Sequence, residues 1–203
     1  MRLVLDWDGT CTEVDSLHMV LERFGDREIY ERVEQELLAG RMSYRELMEA
    51  EFDTVRAPLD EVVAFLLAEA RLRPGFAEAA ALGPVVLSSG FVELIEPVLA
   101  REGVSLEVRA NSIDPRPDGW RIRWRDDALC PVCGDLCKRR GLPEEPIAFV
   151  GDGYSDRCAA LAADRVFARD SLAAYLESIG HPFEGFDDLH DVLRADDVGV
   201  ARR

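Results

Sequence analysis

Two aspartates directly follow a run of apolar residues near the start of the chain. The run Leu3–Leu5 leads into Asp6 and Asp8, and Gly9 and Thr10 come next. Such a run favours a buried strand, and the cost of burying unpaired charge predicts that this strand ends at Asp6. Ligands bind at the carboxyl ends of parallel strands in α/β sheets. The two carboxylates are therefore predicted to serve one site at that edge.

Two later apolar runs also end in polar residues. Val85–Leu87 is followed by Ser88, Ser89 and Gly90, and the run 147–150 is followed by a glycine-rich turn carrying Asp152. Each pattern alone has an ordinary explanation, because aspartate–glycine pairs are common in turns or calcium loops and serine–glycine pairs in helix caps. Their recurrence at three predicted strand ends instead favours one site at a common sheet edge.

The composition limits the kinds of partner. The chain has 203 residues, of which 48% are apolar and 32% charged, and its formal net charge is -16. This predicts a globular protein that repels polyanions, so we expect no nucleic-acid partner. No window holds 18 uncharged apolar residues, so we expect no membrane partner either. A small anionic substrate stays compatible, because a bound cation reverses the field inside a cleft. The odd count of five cysteines, without a signal peptide, predicts a cytoplasmic setting.

The order of elements predicts an α/β fold with a helical insert. Helices are expected over 17–24, 27–39, 44–55 and 61–72, with a capping box at Ser43 and Glu46. Strands are expected over 85–87, 104–109, 120–124, 147–150 and 166–168, with helices between several of them. This alternation predicts a Rossmann-like parallel sheet. The expected division is a core of residues 1–14 and 74–203 and a helical bundle of residues 15–73 inserted after the first strand.

Taken together, these segments resemble the haloacid dehalogenase superfamily of phosphatases. Asp6-Trp7-Asp8-Gly9-Thr10 resembles its first motif, Ser88 its second, Lys138 its third, and the segment 151–156 with Asp152 and Asp156 its fourth. The four motifs occur in the right order and span most of the chain. The helical insert resembles the C1 cap of the phosphoserine phosphatase-like branch.

The resemblance implies a role for each of these residues. Asp6 would be the nucleophile that forms an aspartyl-phosphate, and Asp8 the general acid and base. Lys138 would be catalytic and hold the phosphate. Ser88, Ser89 and Gly90 would bind the phosphate. Mg²⁺ would be bound by the Asp6 and Asp152 carboxylates and by the backbone carbonyl of Asp8, and Asp156 would either be a further ligand or support the ligands.

Two cap positions bear on the substrate. The positions that correspond to amino-acid-binding residues of phosphoserine phosphatase are Asp15 and Glu51, and Glu51 reverses the charge that would meet a carboxylate. A closer resemblance is to the 2-hydroxy-3-keto-5-methylthiopentenyl-1-phosphate phosphatases of methionine salvage. It rests on residues 70–76, the cysteine-rich approach to Lys138, residues 166–170 and residues 182–188, while Ser89 departs from the glycine usual there.

The cysteines Cys130, Cys133 and Cys137 have the spacing of metal ligands. They could hold Zn²⁺ with a fourth ligand from elsewhere, such as Cys11, Cys158 or a histidine. The alternative is a reduced loop that only positions Lys138.

The sequence therefore predicts a Mg²⁺-dependent phosphatase that acts on a small phosphorylated metabolite, such as a methionine-salvage enol phosphate. Phosphoserine phosphatase is the alternative within the same class. A catalytically idle binding module is the alternative of another class. A monomer or a homodimer is expected.

Overall fold

The computed structural model describes residues 1–195. Within them the strands are β1 Arg2–Leu5, β2 Val85–Phe91, β3 Glu107–Asp114, β4 Arg121–Arg123, β5 Ile147–Gly151, β6 Arg165–Ala168 and β7 Glu184–Gly185. They form one sheet in the order β4-β3-β2-β1-β5-β6-β7. All neighbours pair in parallel except β3 and β4, which form an antiparallel hairpin. The predicted α/β class is confirmed.

The helices lie on both sides of this sheet and in the insert. They are α1 Ser16–Phe24, α2 Arg27–Leu38, α3 Tyr44–Phe52, α4 Leu59–Glu69, α5 Phe76–Ala80, α6 Val92–Arg101, α7 Arg157–Ala160, α8 Asp170–Ser178 and α9 Leu189–Arg194. The predicted capping box is present, because Ser43 and Glu46 exchange side-chain and backbone hydrogen bonds at the start of α3. No helix within residues 1–195 is long and apolar enough to cross a membrane.

The central strand β1 is buried on both faces. Leu3 and Leu5 belong to one apolar cluster and Val4 to another on the opposite face. An unbroken apolar run is typical of such a parallel strand, in contrast to the alternating pattern of a half-exposed one. The position of Asp6, which follows Leu5, is therefore determined by a strand with packing on each side.

The helix predicted to reach Leu72 ends earlier, at Glu69. Residues 70–73 instead run extended beside the chain that leaves β1: Glu13 N donates to Arg71 O (2.9 Å) and Arg73 N to Cys11 O (2.8 Å). These backbone bonds with a distant segment outweigh the local helical pattern. The two connections between the insert and the core are thus held side by side.

The strand predicted over residues 104–109 is also placed wrongly, because β3 begins at Glu107 rather than at Val104. Val104 lies in the connection after α6, where it packs against the core. The polar end of β3 becomes strand because Ser112, Ile113 and Asp114 pair with β4. Pairing with a partner strand, rather than apolar content, sets the bounds here.

The inserted helices pack on the sheet's hairpin edge as well as on one another. Phe52 of α3 makes an edge-to-face contact with Phe91 (4.7 Å between ring centroids) and stacks near Trp120 (6.4 Å). Trp120 is fully buried, and its Nε1 donates to Ala57 O (2.9 Å). An apolar cluster that joins α1–α4 to α6, β3 and β4 thus fixes the insert above the sheet.

We expect Trp120→Phe to lower the free energy of unfolding by about 1–3 kcal/mol, because it removes buried volume and leaves Ala57 O without its indole donor. Urea unfolding followed by circular dichroism measures this. The matched control is Trp124→Phe, since Trp124 is only half-buried and donates to the exposed Glu49. Equal losses in the two variants would contradict the anchoring role of Trp120.

Candidate active site

A buried lysine joins two carboxylates at the carboxyl edge of the sheet. Lys138 opens a short 3₁₀ helix, Lys138–Gly141, and its Nζ donates to Asp6 Oδ1 and to Asp156 Oδ1 (2.7 Å). Asp6, Lys138 and Asp156 are at most 4% exposed. The structure therefore brings three residues from distant parts of the sequence into one ion-paired group.

Asp156 also organises the loop that follows β5. Its Oδ2 accepts hydrogen bonds from the backbone N–H groups of Asp152 (3.0 Å) and Gly153 (2.9 Å). One carboxylate thus pairs with Lys138 through one oxygen and holds the loop through the other. This arrangement fixes the position of Asp152 relative to Asp6.

Asp152 faces the loop that follows β1. Thr10 Oγ1 donates to Asp152 Oδ1 (2.8 Å). Gly9 adopts a left-handed conformation with φ of 75°, and a Cβ there would overlap the Asp152 carboxylate. Glycine is required at this position on both counts.

Asp8 is held by two serines. The backbone N–H of Ser16 donates to Asp8 Oδ1 (3.1 Å), the Ser16 hydroxyl donates to the same oxygen, and Ser88 Oγ donates to Asp8 Oδ2 (3.3 Å). Gly90 N–H donates to Ser88 Oγ (2.8 Å). Ser88, Ser89 and Gly90 lie within β2, which continues to Phe91 with an irregular register past Leu87.

Arg73, buried at the base of the insert, was missed as a site residue by sequence reasoning. Its guanidinium donates to the backbone carbonyls of Thr10 (2.9 Å), Gly9 (2.6 Å) and Thr12 (3.2 Å). It thereby satisfies carbonyl groups of the loop that carries Asp8. The sequence gives no signal for this role, because the carbonyl groups that Arg73 binds lie more than sixty positions earlier in the chain.

The clustered acids shift one another's ionisation. Burial, followed by the charge of Asp156, raises the pKa of Asp6 well above its ordinary value, while Lys138 opposes this. Burial, followed by Asp15, raises the pKa of Asp8 to about 7. Burial together with Asp156 raises the pKa of Asp152 to about 6. The excess of carboxylate over ammonium at this edge favours a cation.

The oxygen atoms at this edge fit a divalent cation. One oxygen each of Asp6, Asp152 and Asp156 lies within 4.8 Å of the others. Carboxylate oxygens are the ligands that Mg²⁺ takes in proteins. The donor set suits the predicted Mg²⁺, and so do the pKa values of Asp6 and Asp152, which burial and then the charge of Asp156 raise.

A cleft of about 380 Å³ opens above these acids, between the core and the inserted helices. Both predicted cap residues, Asp15 and Glu51, lie in its wall. Asp15 also caps α1 by accepting from His18 N (2.9 Å). The apolar part of the wall comprises Leu17, Leu21, Leu37, Leu38, Leu47 and Met48.

Glu51 is a buried acid without a cationic partner among the described residues. Glu51 is only 3% exposed, and its Oε1 has no hydrogen-bond partner within residues 1–195. Burial, followed by the charges of Glu34 and Asp15, raises the pKa of Glu51 to about 8. At neutral pH this side chain is therefore predominantly a neutral carboxylic acid that can donate a hydrogen bond into the cleft.

The predicted cysteine cluster lies outside this cleft and is larger than the sequence indicated. Sγ atoms of Cys130, Cys133, Cys137 and Cys158 all lie within 4.8 Å of one another. Cys158 was one of several candidate fourth members, and no spacing rule could select it, because it lies on α7, far along the chain.

The fold and the site define an α/β protein with an acidic, lysine-paired centre at the carboxyl edge of its sheet. The chain matches the haloacid dehalogenase-like hydrolase family over residues 3–161. It belongs to that family, as the motifs had predicted.

Curated relatives cover almost the whole chain. A 2-hydroxy-3-keto-5-methylthiopentenyl-1-phosphate phosphatase of Geobacillus thermodenitrificans is 31% identical, covering 94% of this chain and 93% of the relative. One from Brevibacillus brevis is 30% identical, covering 95% and 94%. Together with the family match, these relatives confirm the predicted phosphoric monoester hydrolase.

Solved structures support the fold. A phosphoserine phosphatase with a phospho-aspartyl intermediate analogue aligns with a TM-score of 0.69 at 16% identity, covering 95% of this chain and 97% of that one. A phosphoserine phosphatase from T. onnurineus aligns with a TM-score of 0.66 at 19% identity, covering 95% and 92%. At this identity the likeness concerns the fold alone.

We expect Glu51→Gln to remove a pH dependence of stability. The pKa of Glu51 is about 8 in the folded chain against an ordinary 4.5, so the folded state binds the proton more tightly. Wild-type stability should therefore fall relative to the variant as pH rises from about 5 to 8, by up to about 1.4 kcal/mol per pH unit.

Urea unfolding of both proteins at several pH values measures this difference. The matched control is Glu49→Gln, an exposed position on the same helix, which should keep the wild-type profile. Parallel pH profiles for wild type and Glu51→Gln would contradict the neutral, buried state of Glu51.

Proposed function

We propose that this phosphatase acts through phosphorylation of Asp6 and releases a small organic alcohol or enol that carries no carboxylate. The observation that carries the catalytic part is the ion-paired group of Asp6, Lys138 and Asp156, buried beside Asp152. Apolar residues of similar volume would fill this space at no greater cost in stability, so a binding module would have no need of such a group. The presence of Asp6, Lys138, Asp152 and Asp156 therefore argues against the catalytically idle binding module.

Asp6 is the proposed nucleophile. Its Oδ1 is engaged by Lys138 Nζ and by the backbone N–H of Trp7 (2.6 Å), so that the carboxylate is held in one orientation. Its Oδ2, which takes part in neither of these bonds, is the oxygen proposed to attack the phosphorus and form the aspartyl-phosphate. Lys138 stays beside the reacting carboxylate and is placed to hold phosphate oxygens, with the hydroxyl of Ser88 and the Ser89 and Gly90 backbone as further candidates.

Asp8 is the proposed acid and base. A pKa of about 7 lets its carboxyl carry a proton at neutral pH. It would give that proton to the departing oxygen and then take one from the water that hydrolyses the aspartyl-phosphate. Ser16 keeps the carboxyl in place during both steps through its two hydrogen bonds.

Mg²⁺ is the proposed cofactor. Asp6, Asp152 and the backbone carbonyl of Asp8 would hold it, with Asp156 as a ligand or behind the ligands. When bound, it would offset the negative charge of the phosphate and of the surrounding carboxylates. Zn²⁺ at Cys130, Cys133 and Cys137 is a separate proposal from the sequence.

The wall of the cleft favours a substrate without a carboxylate. Among the described residues that line it, the basic ones are His18, Lys138 and Arg157. Lys138 is paired with Asp6, and Arg157 lies over the rings of Tyr154 (4.4 Å) and Tyr175 (4.6 Å). The part formed by the inserted helices is apolar or acidic apart from His18 and the tyrosines Tyr30 and Tyr44. A methionine-salvage enol phosphate such as 2-hydroxy-3-keto-5-methylthiopentenyl-1-phosphate fits this wall better than phosphoserine does.

The inserted helices, residues 15–73, are proposed as the cap that excludes water from the reaction and selects the substrate. The core would then comprise residues 1–14 and 74–203, of which 196–203 lie outside the described residues. A cytoplasmic location, a monomeric or homodimeric state and the lack of a nucleic-acid or membrane partner stay predictions from the sequence.

We expect Asp6→Asn to lower kcat for a generic aryl phosphate by at least roughly 10⁴-fold, since the amide cannot form the phosphorylated intermediate. In Asp8→Asn the phosphoryl group should remain on Asp6, where mass spectrometry of acid-quenched protein detects it. The control is Asp60→Asn, an exposed residue of α4 far from the cleft. Turnover by Asp6→Asn at the wild-type rate would overturn the nucleophile assignment.

We expect wild-type protein to show a kcat/KM for phosphoserine at least about 10²-fold below that for a carboxylate-free phosphate monoester of similar size. A substrate carboxylate held by the inserted helices would lie beside Asp15 and Glu51, where His18 is the one basic residue that these helices contribute to the described lining, at a cost of about a few kcal/mol. Steady-state kinetics on a substrate panel with Mg²⁺ measures this ratio. Comparable values would favour phosphoserine phosphatase, whereas hydrolysis of neither, with no turnover of an aryl phosphate, would favour the binding module.

A further inference from the structure

The four clustered cysteines lie on three separate pieces of chain. Cys130 and Cys133 occupy a turn, Cys137 directly precedes the short helix of Lys138, and Cys158 belongs to α7. All are free thiols, and their sulfur atoms lie within 4.8 Å of one another. Neither the mechanism nor the packing of the sheet requires thiols at this place.

The turn carrying Cys130 and Cys133 has the geometry of a metal-binding knuckle. Val132 N–H points at Cys130 Sγ (3.5 Å), and Gly134 N–H donates to Cys130 O (2.9 Å). Gly134 adopts a φ of 74°, which closes the turn and which side chains disfavour. Backbone N–H groups aimed at sulfur stabilise a thiolate, which is the form that binds metal.

The spacing of the sulfur atoms suits a tetrahedral ion. A zinc–sulfur bond of about 2.3 Å places neighbouring sulfurs of a tetrahedron about 3.8 Å apart. Cys130 Sγ and Cys158 Sγ are 3.8 Å apart. We propose that Cys130, Cys133, Cys137 and Cys158 together bind one structural Zn²⁺ ion.

Basic residues surround this cluster and suit its charge. Four thiolates around Zn²⁺ carry two net negative charges. Arg139 donates to Cys158 O (3.4 Å), and Arg125 and Arg140 lie close enough to Cys137 to interact with it electrostatically. Arg140 also pairs with Asp126, but three arginines near these thiols in a chain with a net charge of -16 suit a negatively charged zinc–thiolate centre.

The positions of the four cysteines give the ion a route from solvent and let it connect two segments of the active site. Cys133 is exposed and, with Cys137 and Cys158, lines a cavity of about 400 Å³. Cys137 is adjacent to Lys138, and Cys158 lies two positions after Asp156. The ion would therefore cross-link the two segments whose Lys138–Asp156 ion pair supports Asp6, so the four cysteines act as positioning residues.

The test is the metal content of untagged protein, purified under reducing conditions and measured by plasma mass spectrometry. We expect about one equivalent of zinc per chain. Replacement by Co²⁺ should give the visible bands and the sulfur-to-cobalt charge-transfer absorption of a tetrahedral thiolate site. Cys158→Ser should lose the zinc or the four-sulfur spectrum, whereas Cys11→Ala, a buried cysteine outside the cluster, should keep both.

Hydrogen exchange on the wild-type chain keeps the proposal testable where a variant fails to fold. Removing zinc with a chelator should speed amide exchange in residues 127–141 and at Tyr44, whose N–H donates to Asp135 Oδ2 (2.8 Å), and leave α1 and α4 unchanged. The proposal is overturned by folded, reduced wild-type protein that neither contains zinc nor binds Co²⁺ through sulfur. A disulfide within the cluster in freshly isolated protein, or an unaltered cobalt spectrum in Cys158→Ser, overturns it as well.

Discussion

The structure of this site depends on one buried ion-paired group. Lys138 lies between Asp6 and Asp156 in a region closed to solvent, and burial of these charges is tolerable only while all three are paired. Because Asp156 also accepts the Asp152 and Gly153 amides, the same group sets the loop after β5. The loops after β1 and β5 and the segment before β5 are thereby held in one arrangement.

A second constraint comes from the inserted helices, which we propose select the substrate. They contribute an apolar wall and the acids Asp15 and Glu51 to the cleft that Asp6, Asp8 and Asp152 also line. Burial, followed by the charges of Glu34 and Asp15, raises the pKa of Glu51 to about 8, so that at neutral pH its carboxyl group is a hydrogen-bond donor. In the proposed function, the acids at the sheet edge carry out the reaction and the wall formed by the inserted helices selects the substrate.

Much of this could be predicted from local pattern. The apolar run before Asp6, the capping box at Ser43 and the alternation of strands and helices all depend on neighbours in sequence, and the structure agrees with them. The end of α4 and the start of β3 were predicted wrongly, because both depend on hydrogen bonds to segments far away in sequence. Arg73, which holds the loop after β1, was missed as a site residue for the same reason.

The sequence by itself determined the family, the fold class and the kind of reaction, since four short motifs in a fixed order carry that information. Only the tertiary structure decided which charges meet. It brought Lys138 to Asp6 across 132 positions, left Glu51 buried without a cation among the described residues, and selected Cys158 to join three other cysteines. The physical reason is that ionisation and metal affinity depend on distance and burial, and folding sets both.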